Sequence, residues 1–358
     1  MTDNYSIDGH KLIWHLDRVH AWQVQRVIPP IYVEISPVSF CNHRCVFCGV
    51  DFAMQKKQQL DTGILCERLK EMGSLGVKSI MYAGEGEPLL HKDLPRIISV
   101  TKKSGIDVAI TTNGSLGNSQ IWTEILPYLA WIKFSVDAGT AAVYSKVHKV
   151  AANFFDKTLY SIKQAVHIKN EKKLDVTIGV QFLIIEENIT DIRNALELFS
   201  SFGIDYFVLK PYSLHPKMLK KRDITYTQDI INGVQSIADE YRAQHGMHVV
   251  LRKSALEMYK KGTKDFKHCY ALPFWGYISA NGDFYTCSVF IGDERFGAGN
   301  IYADDMQTVL FGQRRENSIE FGSNGLAIKD ECRVNCRMAR VNEFLEFLND
   351  RPRHINFV

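Results

Sequence analysis

Three cysteines early in the chain, Cys41, Cys45 and Cys48, fall in the run C-N-H-R-C-V-F-C. The chain has eight cysteines in 358 residues, so two more at fixed offsets from a given cysteine would occur by chance about 0.0005 of the time. The spacing is therefore not an accident of abundance. A loop with gaps of three and two residues can wrap a cubane iron–sulfur cluster, giving one thiolate to each of three irons. The fourth iron keeps no protein ligand. It can chelate a small molecule and pass it an electron, much as catalytic metals keep an open coordination position. A zinc ion with a fourth ligand elsewhere is the alternative chemistry for the same thiols.

The remaining cysteines divide sharply. Cys66 lies inside the helical pattern D-T-G-I-L-C-E-R-L-K-E-M-G-S-L-G and reads as a packing thiol. No cysteine falls between 67 and 268, after which Cys269, Cys287, Cys332 and Cys336 follow as C-x17-C and C-x3-C. Two separate sulfur sites are implied. Four thiolates would ligate a second cluster fully, or a tetrahedral zinc ion.

These sites need elements to hold them. From residue 31 short β-branched runs alternate with amphipathic stretches, the pattern of repeated βα units on a parallel sheet. Candidate strands are 31–36, 79–84, 107–113, 132–137, 176–184 and 206–211. Asp61 is a candidate N-cap and Gly76 a candidate stop for the helix between the first two. Six such units form an α/β fold, a partial (β/α)6 TIM-type barrel, with chemistry on the loops after the strand C-terminal ends. The triad directly follows the first strand, as that rule requires. Near residue 250 the pattern changes: Y-I-S-A-N-G-D-F-Y-T-C-S-V-F reads as two strands about an Asn281-Gly282 turn, before a final helix near 337–349. The expected organisation is an N-terminal extension (1–30), a barrel (31–215), a bridging helical region (216–249) and a smaller C-terminal α+β domain (250–358).

Composition narrows the function classes. A formal charge of +3 gives no strong pull toward nucleic acid. No apolar run reaches the roughly 18 residues a spanning helix needs, and the polar opening M-T-D-N-Y-S-I-D-G-H lacks a signal peptide's apolar stretch. A cytoplasmic protein is expected, where reduced thiols favour metal ligation over disulfides.

The run C-N-H-R-C-V-F-C, with Phe47 before the third cysteine, resembles the signature of the radical S-adenosylmethionine (radical SAM) superfamily. The resemblance implies a four-iron four-sulfur cluster on Cys41, Cys45 and Cys48. It also implies S-adenosylmethionine chelated to the open iron, cleaved to a 5′-deoxyadenosyl radical that takes a hydrogen atom from substrate. G-E-G-E-P-L-L is similar to the family's Gly-Gly-Glu-Pro motif, placed at Gly86, Glu87 and Pro88. That makes Glu87 the expected partner of the methionine amino group, while Glu85 departs from the pattern by replacing the first glycine. By the same resemblance Asn113 in T-T-N-G, and Ser135 and Asp137 in F-S-V-D-A, face ribose and methionine carboxylate, with Gln181 and Asn188 toward adenine. The C-terminal cysteines resemble the auxiliary-cluster domains called SPASM and twitch. This implies a second four-iron four-sulfur cluster on Cys269, Cys287, Cys332 and Cys336 with an electron-transfer role, although C-x3-C stands where C-x2-C is more usual.

The stretch L-K-P-Y-S-L-H-P after the sixth strand would put Lys210, Tyr212, Ser213 and His215 at the barrel mouth, groups suited to a sugar or nucleotide-sugar. Oxidation of a carbinol needs a base, for which Lys210, His215 and Glu34 are candidates. Trp275 or Tyr277 could wall the site. The expected activity is radical-initiated oxidation, epimerisation or rearrangement of a small polar molecule, with a reducing partner such as flavodoxin or ferredoxin. The alternatives are a maturase acting on a ribosomal peptide and a non-catalytic zinc-binding scaffold.

Overall fold

The computed structural model describes residues 3–54, 56–220, 225–245 and 247–357. Its strands are β1 (Tyr32–Ile35), β2 (Ser79–Tyr82), β3 (Asp107–Thr112), β4 (Leu129–Ser135), β5 (Thr177–Ile184), β6 (Tyr206–Pro211), β7 (His248–Leu251), β8 (Trp275–Ile278), β9 (Asp283–Tyr285) and β10 (Gly297–Asn300). They form one sheet in the order β10-β9-β8-β1-β2-β3-β4-β5-β6-β7. β1 to β6 are the six barrel strands that the β-branched runs predict, all parallel neighbours.

The sheet is wider than six strands. β7 pairs parallel with β6, and β8 pairs parallel with β1. β7 straddles the boundary expected between the helical bridge (216–249) and the C-terminal domain (250–358). Its four residues H-V-V-L carry strand chemistry, and the helix Gln228–His245 before it supplies the crossover. Residues 221–224 and 246 of that region lie outside the described residues. The C-terminal segment joins the barrel sheet through β8, then turns back at Asn281-Gly282, where Gly282 takes φ +89°. The helix Thr62–Ser74 begins as predicted, with the Asp61 side chain accepting from Ile64 N at 2.9 Å.

Strand alternation sends apolar side chains outward, beneath the helices: Val33, Ile35, Ile80, Tyr82, Val108, Ile110, Ile132 and Phe134 belong to one core. Cys66 packs into the same core. The inner face carries the opposite parity, including Glu34, Lys133, Gln181 and Lys210, and it surrounds a chamber of ≈ 470 Å³. A hydrophobic layer outside and a polar hollow inside make the barrel a container. The N-terminal segment closes part of it: Tyr5 and Ile7 pack against Tyr206, Val208 and Val250, with the Tyr5 and Tyr206 rings 5.4 Å apart. The helix Leu16–Gln25 buries Val19 and Trp22 against Phe274 and Leu345, so the two ends of the chain share a small core.

Candidate active site

The loop after β1 carries Cys41, Cys45 and Cys48 to the C-terminal ends of the strands. There all three line a cavity of ≈ 310 Å³ with Phe47, Glu85, Gly86, Glu87, Asn113, Ser135, Gln181 and Lys210. Gly86 serves packing between two loops. A Cβ on it would lie 2.3 Å from the Phe40 carbonyl oxygen and 2.5 Å from that of Val38, so only glycine lets the loop after β2 rest on the loop leading to the triad. Glu87 N donates to Phe40 O at 3.0 Å and fixes that contact.

The two acidic residues of the motif differ. The Glu87 carboxylate accepts from Thr112 Oγ1 at 2.5 Å, Leu89 N at 3.0 Å and Asn113 N at 2.8 Å. It is a clamp between the loops after β2 and β3. Glu85 accepts from the Tyr277 hydroxyl at 3.2 Å, and burial pushes its pKa up to about 7. Of the two, Glu85 is the one whose charge is poorly compensated by the protein.

Burial holds all three triad thiols above the ordinary range, with Cys41 pushed up to about 12. Iron would reverse this, because a coordinated thiol is deprotonated outright. Polar groups wait beside the sulfurs. His43 N donates to Cys41 Sγ at 3.4 Å, and His148 Nδ1 lies 3.0 Å from Cys45 Sγ while its Nε2 donates to Val136 O at 2.7 Å. Among the described residues no three Cys, His, Asp or Glu side chains are grouped to hold a single metal ion. The three thiols line one cavity together, an arrangement that fits a multi-iron cluster.

Several residues expected at the cofactor or at the barrel mouth do other work. Asp137 stands at φ +57° and is fully buried, accepting from Leu183 N at 2.6 Å; it ties β4 to β5 and does not line the cavity. Asn188 bonds Asp137 O and Leu183 O, each at 2.8 Å, and its own turn through Ile185 N. Tyr212 turns its hydroxyl to Met218 Sδ at 2.9 Å. His215 reaches the chamber wall, but Lys217 N donates to its Nδ1 at 3.1 Å, leaving no lone pair for a substrate proton; burial lowers its pKa to about 4. Lys210 differs, since it lines both the cofactor cavity and the chamber, and burial depresses its pKa well below the lysine range.

The two cavities meet: Gly49, Gly84, Gln181 and Lys210 line both. On the other side, Cys269, Cys287, Cys332 and Cys336 converge on one pocket walled by Phe266, Leu272, Trp275, Phe290 and Met338. The C-x3-C spacing thus brings both of its cysteines to the same place, and Trp275 belongs to this pocket. Met338 N donates to Cys336 Sγ at 3.4 Å. Cys336 also lines the chamber, so the second sulfur site and the chamber share a wall.

Sequence reasoning misses Lys133, Arg252, Arg333 and Arg337, which also line the chamber. Lys133 could have been found, since it precedes Ser135 by one strand period. Arg252 follows the unrecognised β7, and the two arginines flank the last cysteine.

Residues 35–199 match the radical SAM superfamily model. The chain is 32% identical over 157 residues to an S-adenosylmethionine-dependent nucleotide dehydratase of Lacinutrix mariniflava, covering 38% of this chain and 33% of that protein. It is 37% identical over 108 residues to the GTP 3′,8-cyclase of Chlorobaculum tepidum, covering 30% and 32%. The chain thus spans about a third of the length of these curated relatives. The structure of Streptococcus suis SuiB bound to precursor peptide SuiA superposes with a TM-score of 0.66 at 18% identity, covering 85% of this chain and 71% of that one, a likeness of fold.

Proposed function

We propose that this chain, whose residues 35–199 match the radical SAM superfamily model, is an enzyme that abstracts hydrogen from a small polar substrate of sugar or nucleotide-sugar type, for oxidation or rearrangement. When bound, the family's four-iron four-sulfur cluster and S-adenosylmethionine supply the abstracting radical. Cys41, Cys45 and Cys48 hold the cluster, and Glu85, Asn113, Ser135 and Gln181 orient the cofactor around the cavity they share. Lys210, at the junction with the chamber, is the base that receives the proton of an oxidised carbinol. Its depressed pKa keeps a neutral amine available for that role.

Cys269, Cys287, Cys332 and Cys336 hold an auxiliary cluster whose ligand Cys336 forms part of the chamber wall. An electron leaving the substrate has a short way to travel. An external reductant of the flavodoxin or ferredoxin kind would supply the electron that this chemistry needs. The floor of Tyr5, Ser6 and Ile7 favours a small molecule over a peptide.

The observation that carries this reading is the junction of a cysteine-lined cavity with a polar chamber through four common residues. The test is anaerobic reconstitution with iron and sulfide counting, then reduction with S-adenosylmethionine and assay for 5′-deoxyadenosine. About eight irons per chain and 5′-deoxyadenosine release are expected. Protein that takes up zinc in place of iron, or leaves S-adenosylmethionine intact, would sink the proposal.

A further inference from the structure

The chamber carries a charge excess that hydrogen abstraction does not use. Besides Lys210, five cations line it, Lys11, Lys133, Arg252, Arg333 and Arg337, against one carboxylate, Glu34. Glu34 is engaged by Arg337. Asp8, reaching in from the N-terminal segment, pairs with Arg252 at 3.2 Å. Among the described residues, no carboxylate lies within ion-pair distance of Lys11, Lys133 or Arg333. The Nε of Arg333 is buried with no hydrogen-bond partner.

Two unmatched positive charges, Lys133 and Arg333, therefore stand within the chamber wall, and a third, Lys11, stands at its exposed rim. A charge withdrawn from water without a partner is unfavourable, so a wall that keeps Lys133 and Arg333 unmatched is shaped for a ligand of opposite sign. A single carboxylate would match one. A phosphate monoester carries roughly −1.5 to −2 at neutral pH and a diphosphate more, and lysine and arginine are its usual partners.

The charges are also placed apart from the chemistry. Lys133, Arg252 and Lys11 line the chamber but not the cofactor cavity, whereas Lys210 lines both. Lys133 projects from β4 one strand period before Ser135, which faces the cofactor cavity, so it lies deeper in the barrel. Arg252 directly follows β7 and packs at the N-terminal segment through Asp8.

Taking the chamber as the substrate site of the proposed function, we infer that the substrate carries a phosphoryl or diphosphoryl group. Lys133, with Arg252 beside it in the wall, holds this group in the part of the chamber that the cofactor cavity does not share, while the carbon to be attacked lies beside Lys210. The anion seats the substrate by its unreactive end, so the same charges fix both affinity and reach.

The test is equilibrium dialysis of the anaerobically reconstituted full chain, saturated with S-adenosylmethionine, against radiolabelled inorganic pyrophosphate. Iron content and 5′-deoxyadenosine release are measured on the same sample. Saturable binding at one site per chain is expected, weakened about tenfold or more by Lys133→Gln. A smaller loss is expected for Lys11→Gln, at the exposed rim, where folding is not at stake. Citrate should compete poorly, separating a phosphate site from a general polyanion site. Iron-loaded, cleavage-competent protein that binds no pyrophosphate, binds it equally well after Lys133→Gln, or prefers citrate overturns the inference and leaves the proposed function standing. Failure to load iron counts against the proposed function alone.

Discussion

Glu87 grips the backbone of Asn113, its Oε2 accepting that N–H at 2.8 Å while Oε1 takes Thr112 Oγ1 and Leu89 N. Three donors on one buried carboxylate describe a clamp. Glu87→Gln would turn an amide N–H₂ toward one of those donors and leave it unpaired. We expect a loss of about 1–3 kcal/mol in stability, read from the denaturation midpoint. Glu85→Gln should instead leave stability within about 1 kcal/mol and weaken S-adenosylmethionine binding. Matching stability losses for the two variants, with cofactor affinity untouched in both, would refute the division of labour.

Lys133 makes anion binding depend on pH. Burial, with Arg337 and Arg252 adding to it, pushes its pKa from 10.5 down to about 8, against the opposing pull of Glu34 and Asp137. Lys210, whose pKa Lys133 lowers in turn, faces it from β6. Below about 8 the ammonium is charged and holds the anion; above it the charge is lost. Pyrophosphate affinity should therefore fall as pH rises through about 8 in the wild type, and fall less in Lys133→Gln. For folding the sign is reversed. Between about 8 and 10.5 the unfolded chain holds a proton that the folded chain has lost, so this residue's contribution to stability rises with pH across that window. A pyrophosphate affinity flat from pH 7 to 9 is the contrary result.

The parts legible in the sequence are those whose chemistry is local. Cys41, Cys45 and Cys48 announce themselves by spacing within eight residues, and β1 to β6 by β-branched runs. What escapes depends on direction or on distant pairing. Asp137 sits at a strand end where a polar group could face a ligand, but its left-handed backbone turns it to Leu183 N. His215 is spoken for by Lys217, two residues on. Lys133 shares the face of Ser135, yet its meaning emerges only when Arg252 and Arg337 arrive from β7 and from the C-terminal loop. Residues 1–30 read as irregular, and Tyr5 acquires a role only against Tyr206.

Arg315 is fully buried, and among the described residues no carboxylate pairs with it. Its Nη1 donates to Ile28 O at 2.9 Å and Leu310 O at 2.7 Å, and its Nη2 to Pro273 O at 2.8 Å. It thereby joins the segment before β1 to the segment before β8, and burial lowers its pKa to about 9. Arg315→Met keeps the stem volume and strands three carbonyls. Urea denaturation should show a loss of about 3–5 kcal/mol. A change under about 1 kcal/mol would mean that water takes over those carbonyls.

Cys336 offers a way to separate the two proposed clusters by function. It belongs to the apolar pocket of the four C-terminal cysteines and also to the chamber wall. Four thiolates would ligate a cluster fully, so a cluster held there would offer no iron to the substrate and would supply an electron acceptor instead. Cys336→Ser should lower iron from about eight to about four per chain and preserve 5′-deoxyadenosine release. It should uncouple that release from substrate conversion, since the substrate radical is left without its acceptor. Cys45→Ser should do the opposite, retaining about four irons and ending the release itself. The ratio of product to 5′-deoxyadenosine is the deciding measurement. Should Cys336→Ser keep both its iron and that ratio, the four C-terminal thiols would be packing groups and the electron would leave by another route.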